Sequence, residues 1–187
     1  MRYTTPLPAR ERGDFRSEEH THAMASMSDI PRPSKLWREL DEARRTTAAE
    51  AFWADEQSVA EQAEVVGAMA KQLNFRPKSV IALPVEKKVR YTVRAGQISD
   101  AVAGRLLVAY HLAAQRPMMG AFLDAVGIAH DNGLITEEDV KAPEPAKLAD
   151  AAKQVAGAYP AADVRLYFST LVLQDPDTWG GLAEHLG

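Results

Sequence analysis

Apolar residues recur every three or four positions over most of the chain from Ser34 onward. This spacing places apolar side chains along one face of an α-helix, whereas a half-buried strand alternates at every second position. The pattern therefore predicts an all-α protein, an irregular antiparallel helical bundle of about seven or eight helices. No repeat of fixed length occurs, which disfavours a solenoid of stacked units.

Residues that favour helix ends lie at the borders of these periodic segments. Asp41, Ser58 and Ser99 are placed to cap helix N-termini, and Glu61, three residues after Ser58, completes a capping box. The helix that follows Ser99 is apolar on nearly every side up to Gln115. Because such a helix has no face suited to water, we expect it at the centre of the bundle.

Two interpretations fit PVEKKVRYTVRAG, at residues 84–96. A proline at the start and Gly96 just past the end are typical of a helix. VRYTVR also alternates between apolar and polar residues, as a half-buried strand does. We expect a helix, which would place Val85, Val89 and Val93 on one face.

The first 33 residues show neither period and are rich in proline, serine, threonine and arginine. We expect a disordered tail over residues 1–33 and a single helical domain over residues 34–187, because a chain of this size buries a core as one domain. Met24 and Met27 lie just before the first periodic segment. Translation that begins at one of them is an alternative to the full tail.

Composition narrows the classes of function. With zero cysteines, the chain has no disulfides, thiolate zinc sites or thiol nucleophiles. It contains no Walker A loop, dinucleotide-binding GxGxxG, HExxH zinc motif or GxSxG elbow. No apolar run has the length of a membrane span, and the N-terminus lacks the apolar core of a signal peptide. We expect a cytoplasmic protein with no membrane partner and no cofactor.

Charge is distributed unevenly, which matters more than the net charge of −4. Residues 76–123 hold eight basic and two acidic residues, a net charge of +6, whereas residues 124–187 hold four basic and eleven acidic residues, a net charge of −7. Basic side chains and one aromatic gather opposite the valine face of the predicted helix. The candidate binding residues are Arg76, Lys78, Lys87, Lys88, Arg90, Tyr91 and Arg94.

This basic segment has three interpretations. It binds an acidic protein, it binds phosphate backbones, or the acidic C-terminal block of the same chain neutralises it. The negative overall charge disfavours a general nucleic-acid binder. We therefore expect a non-enzymatic interaction module with an acidic protein partner. Nucleic-acid binding, internal neutralisation and the oligomeric state stay open.

A small helical enzyme or small-molecule-binding protein is the alternative function, and it depends on histidines at a pocket between helices. His111 lies in the most apolar helix, and His130 precedes Asp131; these three are the candidate acid–base residues. A histidine hydrogen-bonded within the core is the simpler interpretation of His111. The other three histidines lie in predicted tails, where no rigid frame holds a ligand.

The segment HDNGLITEED also has two interpretations. In the first it is a corner: Gly127 ends one helix, residues 131–133 turn, and Thr136 caps a short helix over TEEDV. In the second it resembles the second half of an EF-hand calcium loop. The ligand positions then fall on His130, Asn132 and Asp139, with an apolar residue at the first position. Because that set is poor in oxygen ligands, we expect the corner and no metal.

Overall fold

The structure is a computed structural model that describes residues 30–95, 98–137 and 139–186. Ten α-helices and one two-stranded hairpin lie in these ranges, so the predicted all-α class is confirmed. The number of helices exceeds the predicted seven or eight because two of them have only five and four residues, too short to show a helical period. The helices are α1 (Pro33–Glu39), α2 (Glu42–Ala54), α3 (Val59–Leu73), α4 (Pro77–Ile81), α5 (Val85–Arg94), α6 (Asp100–Ala114), α7 (Arg116–Val126), α8 (Pro145–Ala158), α9 (Ala161–Gln174) and α10 (Pro176–Trp179).

Two 3-10 helices and a hairpin complete the described elements. The 3-10 helices are Glu56–Ser58 and Gly180–His185, and strands β1 (His130–Asp131) and β2 (Leu134–Ile135) pair antiparallel. Most of the predicted tail, residues 1–29, lies outside the described residues, as does Gly96. The described chain begins at Ile30, whose partly buried side chain packs on apolar residues of the C-terminal half. The tail and the single domain stay predictions.

Several local predictions about helix ends are confirmed. Asp41 accepts a hydrogen bond from the backbone N–H of Arg44 at 2.8 Å, which caps α2. Ser99 caps α6 in the same way through the N–H of Val102 at 3.2 Å. The segment PVEKKVRYTVR forms α5, so the helical interpretation is correct and the strand is not.

The capping box at Ser58 is wrong. The Ser58 hydroxyl donates to the Asp55 carboxylate at 2.6 Å and makes no cap bond to α3. Asp55 also accepts the N–H of Gln57 at 2.9 Å; the Ser58 bond and then this one lower the pKa of its carboxyl group. The hydrogen bond to the charged Asp55 acceptor turns the Ser58 side chain toward Asp55, and Glu61 instead pairs with Arg105 at 3.1 Å.

Helix α6 lies at the centre of the packing, as predicted. It packs against α1, α2, α3, α7 and α9, which bury residues such as Leu106, Leu107 and Tyr110 and leave Ala101 and Arg105 exposed. Two apolar clusters meet along it. The N-terminal cluster comes mainly from α1 to α6 and includes Trp37, Phe52 and Leu106; the C-terminal cluster comes mainly from α7 to α10 and includes Phe122 and Phe168. Both α6 and α9 contribute to both clusters, so these two helices join them.

An ion pair also connects the two halves. Arg44 on α2 donates from a terminal guanidinium nitrogen to Asp163 on α9 at 2.7 Å. Asp163 is only 8% exposed, so this carboxylate depends on the arginine to replace water. The partner of this buried acid therefore comes from a segment 119 residues away.

The corner after α7 is a hairpin and not the start of a helix. Gly127 has φ +74, and the N–H of Ile128 donates to the carbonyl of Leu123 at 3.0 Å, the predicted helix end. Asn132 and Gly133 then form a two-residue turn with φ of 46° and 85°, as type I′ requires.

The predicted helix TEEDV is wrong over residues 136, 137, 139 and 140, which are not helical, while Glu138 lies outside the described residues. Thr136 donates its backbone N–H to the carbonyl of Ala129 at 3.3 Å. Because this bond extends the hairpin, Thr136 does not cap a helix. The spacing of residues within the segment TEEDV does not predict this contact with Ala129, which lies before the hairpin.

Substitution of Gly133 by alanine is expected to lower the free energy of unfolding by about 1–3 kcal/mol. The new Cβ would lie 2.8 Å from Met119 Cβ and 3.1 Å from the Arg116 carbonyl, at a residue with φ +85. Gly67→Ala, inside α3 with no atom of another segment within 4 Å of its Cβ, is the matched control and is expected to raise stability by up to about 1 kcal/mol. Urea unfolding measures both. A Gly133→Ala variant with the same free energy of unfolding as the original chain would contradict the hairpin geometry.

Candidate functional site

The outward face of α5 is fixed by what its inner face contacts. Val89 and Val93 are buried in the N-terminal cluster, and α5 packs mainly on α2. The fully buried Thr92 accepts a hydrogen bond from Trp53 Nε1 at 3.0 Å and donates to the carbonyl of Lys88 at 3.0 Å. These contacts set the rotation of α5 about its axis.

Five exposed basic residues, four within α4 and α5 and one at the N-cap of α4, form what we call the basic surface. Its members are Arg76, Lys78, Lys87, Arg90 and Arg94. Within the part of the chain that the structure describes, none of them forms an ion pair with an aspartate or glutamate. As far as the described residues go, their charge therefore faces water.

The other two predicted binding residues contact the fold itself. The Lys88 ammonium lies 5.4 Å from the centroid of the Trp53 ring, a cation–π distance. Tyr91 is partly buried and packs on the N-terminal cluster. Val85, predicted for the buried face, is 50% exposed at the first position of α5.

The described part of the acidic C-terminal block packs mainly away from the basic surface. The main packing partner of α5 is α2, and that of α4 is α3, and both partners precede residue 124. Two acids of the block have other contacts, since Asp163 pairs with Arg44 and Asp124 with His130. These contacts disfavour neutralisation within the chain.

His111 is buried and neutral. Its Nε2 lies 3.2 Å from the hydroxyl of Thr170, and that hydroxyl donates to the carbonyl of Leu166 at 2.8 Å. The threonine oxygen must therefore accept, which places the proton of His111 on Nε2. Nδ1 has no hydrogen-bond partner among the described residues. Burial lowers the pKa of His111 to about 3.

A pocket of about 180 Å³ lies beside His111, between α6, α7, α9 and the hairpin. Apolar side chains form most of its wall. The lining residues are Val108, His111, Leu112, Met119, Gly133, Leu134, Ile135, Tyr167, Thr170, Leu171 and Gln174. The face of α9 at this pocket was not predicted from the sequence, although Tyr167, Thr170 and Gln174 recur at helical spacing within an apolar segment.

The structure does not place His130 and Asp131 in this pocket. His130 Nε2 lies 3.2 Å from the Asp124 carboxylate, and its Nδ1 accepts the N–H of Gly133 at 3.1 Å. Both ring nitrogens therefore stabilise the hairpin, while Asp131 is exposed. The candidate acid–base residues are not brought together.

The residues assigned to ligand positions in the EF-hand resemblance make other contacts or are exposed. The backbone carbonyl of Asn132 accepts a hydrogen bond from Arg116 at 3.0 Å, and Asp139 is exposed. Across residues 30–95, 98–137 and 139–186, no three histidine, aspartate or glutamate side chains are grouped to hold a metal ion. The chain forms a hairpin turn here instead of a calcium-binding loop.

Comparisons of the chain with known protein families, curated proteins and solved structures found no match. Burial, charge and geometry of the chain's own residues are therefore what point to a function. They single out two features, the basic surface on α4 and α5 and the pocket beside His111. No helix in the described ranges has the length and apolar character needed to cross a membrane.

Stability is expected to fall as the pH is lowered from 7 to 5, by about 2 kcal/mol from His111 alone. In the folded state its pKa of about 3 keeps it neutral, whereas in the unfolded chain it binds a proton below its ordinary value of 6.5. The unfolded state thus gains protons first, and acid favours unfolding.

Urea unfolding at the two pH values measures this difference in the original chain and in His111→Phe. The phenylalanine keeps the ring and removes the titrating group, so the difference should shrink. Tyr110→Phe, a neighbouring aromatic substitution that removes no histidine, should keep it. A pH dependence unchanged by His111→Phe would contradict the assignment.

Proposed function

We propose that this protein is a non-enzymatic interaction module whose basic surface binds an acidic protein partner. The observation that carries the proposal is the exposure of Lys87, Arg90 and Arg94 on a helix whose opposite face is buried, with no ion pair to them in the described residues. Unpaired exposed cations raise the association rate and the specificity for a negatively charged surface.

Exposed apolar side chains beside the cations favour a protein over a nucleic acid. Phe75, Ile81 and Val85 are 49%, 58% and 50% exposed, and they occur in the same stretch of chain as Arg76 and Lys78. Protein interfaces combine an apolar centre with a charged rim, whereas phosphate backbones select charge alone. The net charge of −4 also repels nucleic acid at long range.

The proposed setting is the cytoplasm, with no membrane partner. Zero cysteines fit a reducing compartment, because such a chain has no disulfide to lose there. Nucleic-acid binding by the same cations is the competing function, and it predicts that binding falls steeply with salt and disappears after nuclease treatment.

Reversing two charges, Lys87→Glu with Arg90→Glu, is expected to abolish capture of the partner from native lysate. Both side chains are exposed, so the double variant should keep its helical circular dichroism spectrum and its unfolding free energy. The measurement is an affinity pull-down at low and moderate salt, with and without nuclease, followed by mass spectrometry.

The matched control is Lys153→Glu with Arg165→Glu, which changes the net charge equally at exposed positions on α8 and α9. It is expected to capture the partner as the original chain does. Loss of the partner from both double variants, or from neither, would overturn the proposal. Retention of nucleic acid alone would replace the acidic protein by a phosphate backbone.

A further inference from the structure

The pocket beside His111 contains no ionised side chain. Aspartate, glutamate, lysine and arginine are all absent from its described lining. Burial lowers the pKa of His111 to about 3, so the ring is uncharged at neutral pH. Burial also raises the pKa of Tyr167, so its hydroxyl keeps its proton. A charged ligand entering this site would lose hydration without gaining an opposite charge.

Two polar groups of the lining have hydrogen-bonding capacity to spare. Among the described residues, the Tyr167 hydroxyl and the Gln174 amide have no hydrogen-bond partner, whereas Thr170 is engaged by His111 and by the carbonyl of Leu166. The Tyr167 ring is held in place, with its centroid 5.4 Å from that of His111 and 5.8 Å from that of Phe122. The Tyr167 ring is thus fixed in the mostly apolar lining of the pocket.

The volume limits the ligand. A site of about 180 Å³ is close to the cavity of about 150 Å³ that holds benzene in an engineered apolar core. The hairpin forms one side of the pocket through Gly133, Leu134 and Ile135, and Leu134 is 49% exposed. The site therefore has the size of one substituted aromatic ring and borders on solvent.

We propose that this pocket binds a small uncharged molecule with an apolar body and one hydroxyl group, of the size of a methylphenol. The apolar body packs on Val108, Met119 and Leu171, and the hydroxyl group hydrogen-bonds Tyr167. This site uses none of the residues of the basic surface, so it is independent of the proposed function.

The experiment compares three probes of one shape: p-cresol, toluene, which lacks the hydroxyl, and p-toluate, which is charged at neutral pH. Calorimetry gives the affinities, and the NMR shift of the Met119 methyl group reports occupancy of the pocket. We expect saturable binding of p-cresol, binding of toluene about tenfold weaker because one hydrogen bond is missing, and no binding of p-toluate.

Two pairs of variants locate the binding. Tyr167→Phe removes only the hydroxyl and should make p-cresol and toluene bind equally, whereas Tyr159→Phe, which lies outside the pocket, should preserve their difference. Val108→Phe fills the pocket and should abolish binding, whereas Val59→Phe, at an exposed position of α3, should leave binding unchanged. The charge-reversed variant Lys87→Glu with Arg90→Glu should still bind p-cresol.

Three results would overturn the proposal. They are no saturable binding of p-cresol by the original chain, equal affinity of the original chain for p-cresol and toluene, and binding that survives Val108→Phe.

Discussion

The packing of five helices around α6 is the constraint on which the rest of the structure depends. The apolar faces of a helix are stable in water only when other elements cover them. Each of the five must therefore present an apolar stripe toward α6, while Ala101 and Arg105 of α6 stay exposed. The two apolar clusters are the consequence, since α6 and α9 supply side chains to both.

The positions of the basic surface and of the pocket follow from this arrangement. Helix α2 lies between α6 and α5, so α5 forms an outer layer and directs its cations away from the core. Near the C-terminal end of α6, His111 Nε2 hydrogen-bonds the Thr170 hydroxyl inside the apolar packing. The hairpin after α7 then closes one side of a gap between α6 and α9, which is the pocket.

The sequence pattern predicted the structural features that depend on residues close to one another in the chain. The helices, the caps at Asp41 and Ser99 and the end at Gly127 rest on interactions within a few residues, so their signals are local. The capping box at Ser58 failed because the Ser58 side chain is bonded to Asp55, only three residues earlier, and Glu61 pairs with Arg105. The helix TEEDV failed because Thr136 is bonded to Ala129 in the hairpin.

The composition of the sites was predictable only in part, because long-range contacts decide it. The helical period placed Lys87, Arg90 and Arg94 on an exposed face, but Trp53, from another helix, draws Lys88 inward. The pocket brings His111 next to Thr170, which is 59 residues away in the chain. The spacing of apolar residues within one helix does not predict that pairing. The polar residues within the apolar sequence of α9 did indicate a polar contact there.

Site-specific photo-crosslinking tests the central claim, that the basic surface binds an acidic protein, most directly. A photoreactive phenylalanine derivative is incorporated at position 87 or, as the control, at position 153, and adducts formed in intact cells are identified by mass spectrometry. The account predicts adducts at position 87 with a protein whose crosslinked segment is rich in aspartate and glutamate, and none of these at position 153. Adducts with nucleic acid, adducts that are the same at both positions, or no adduct at position 87 would contradict it.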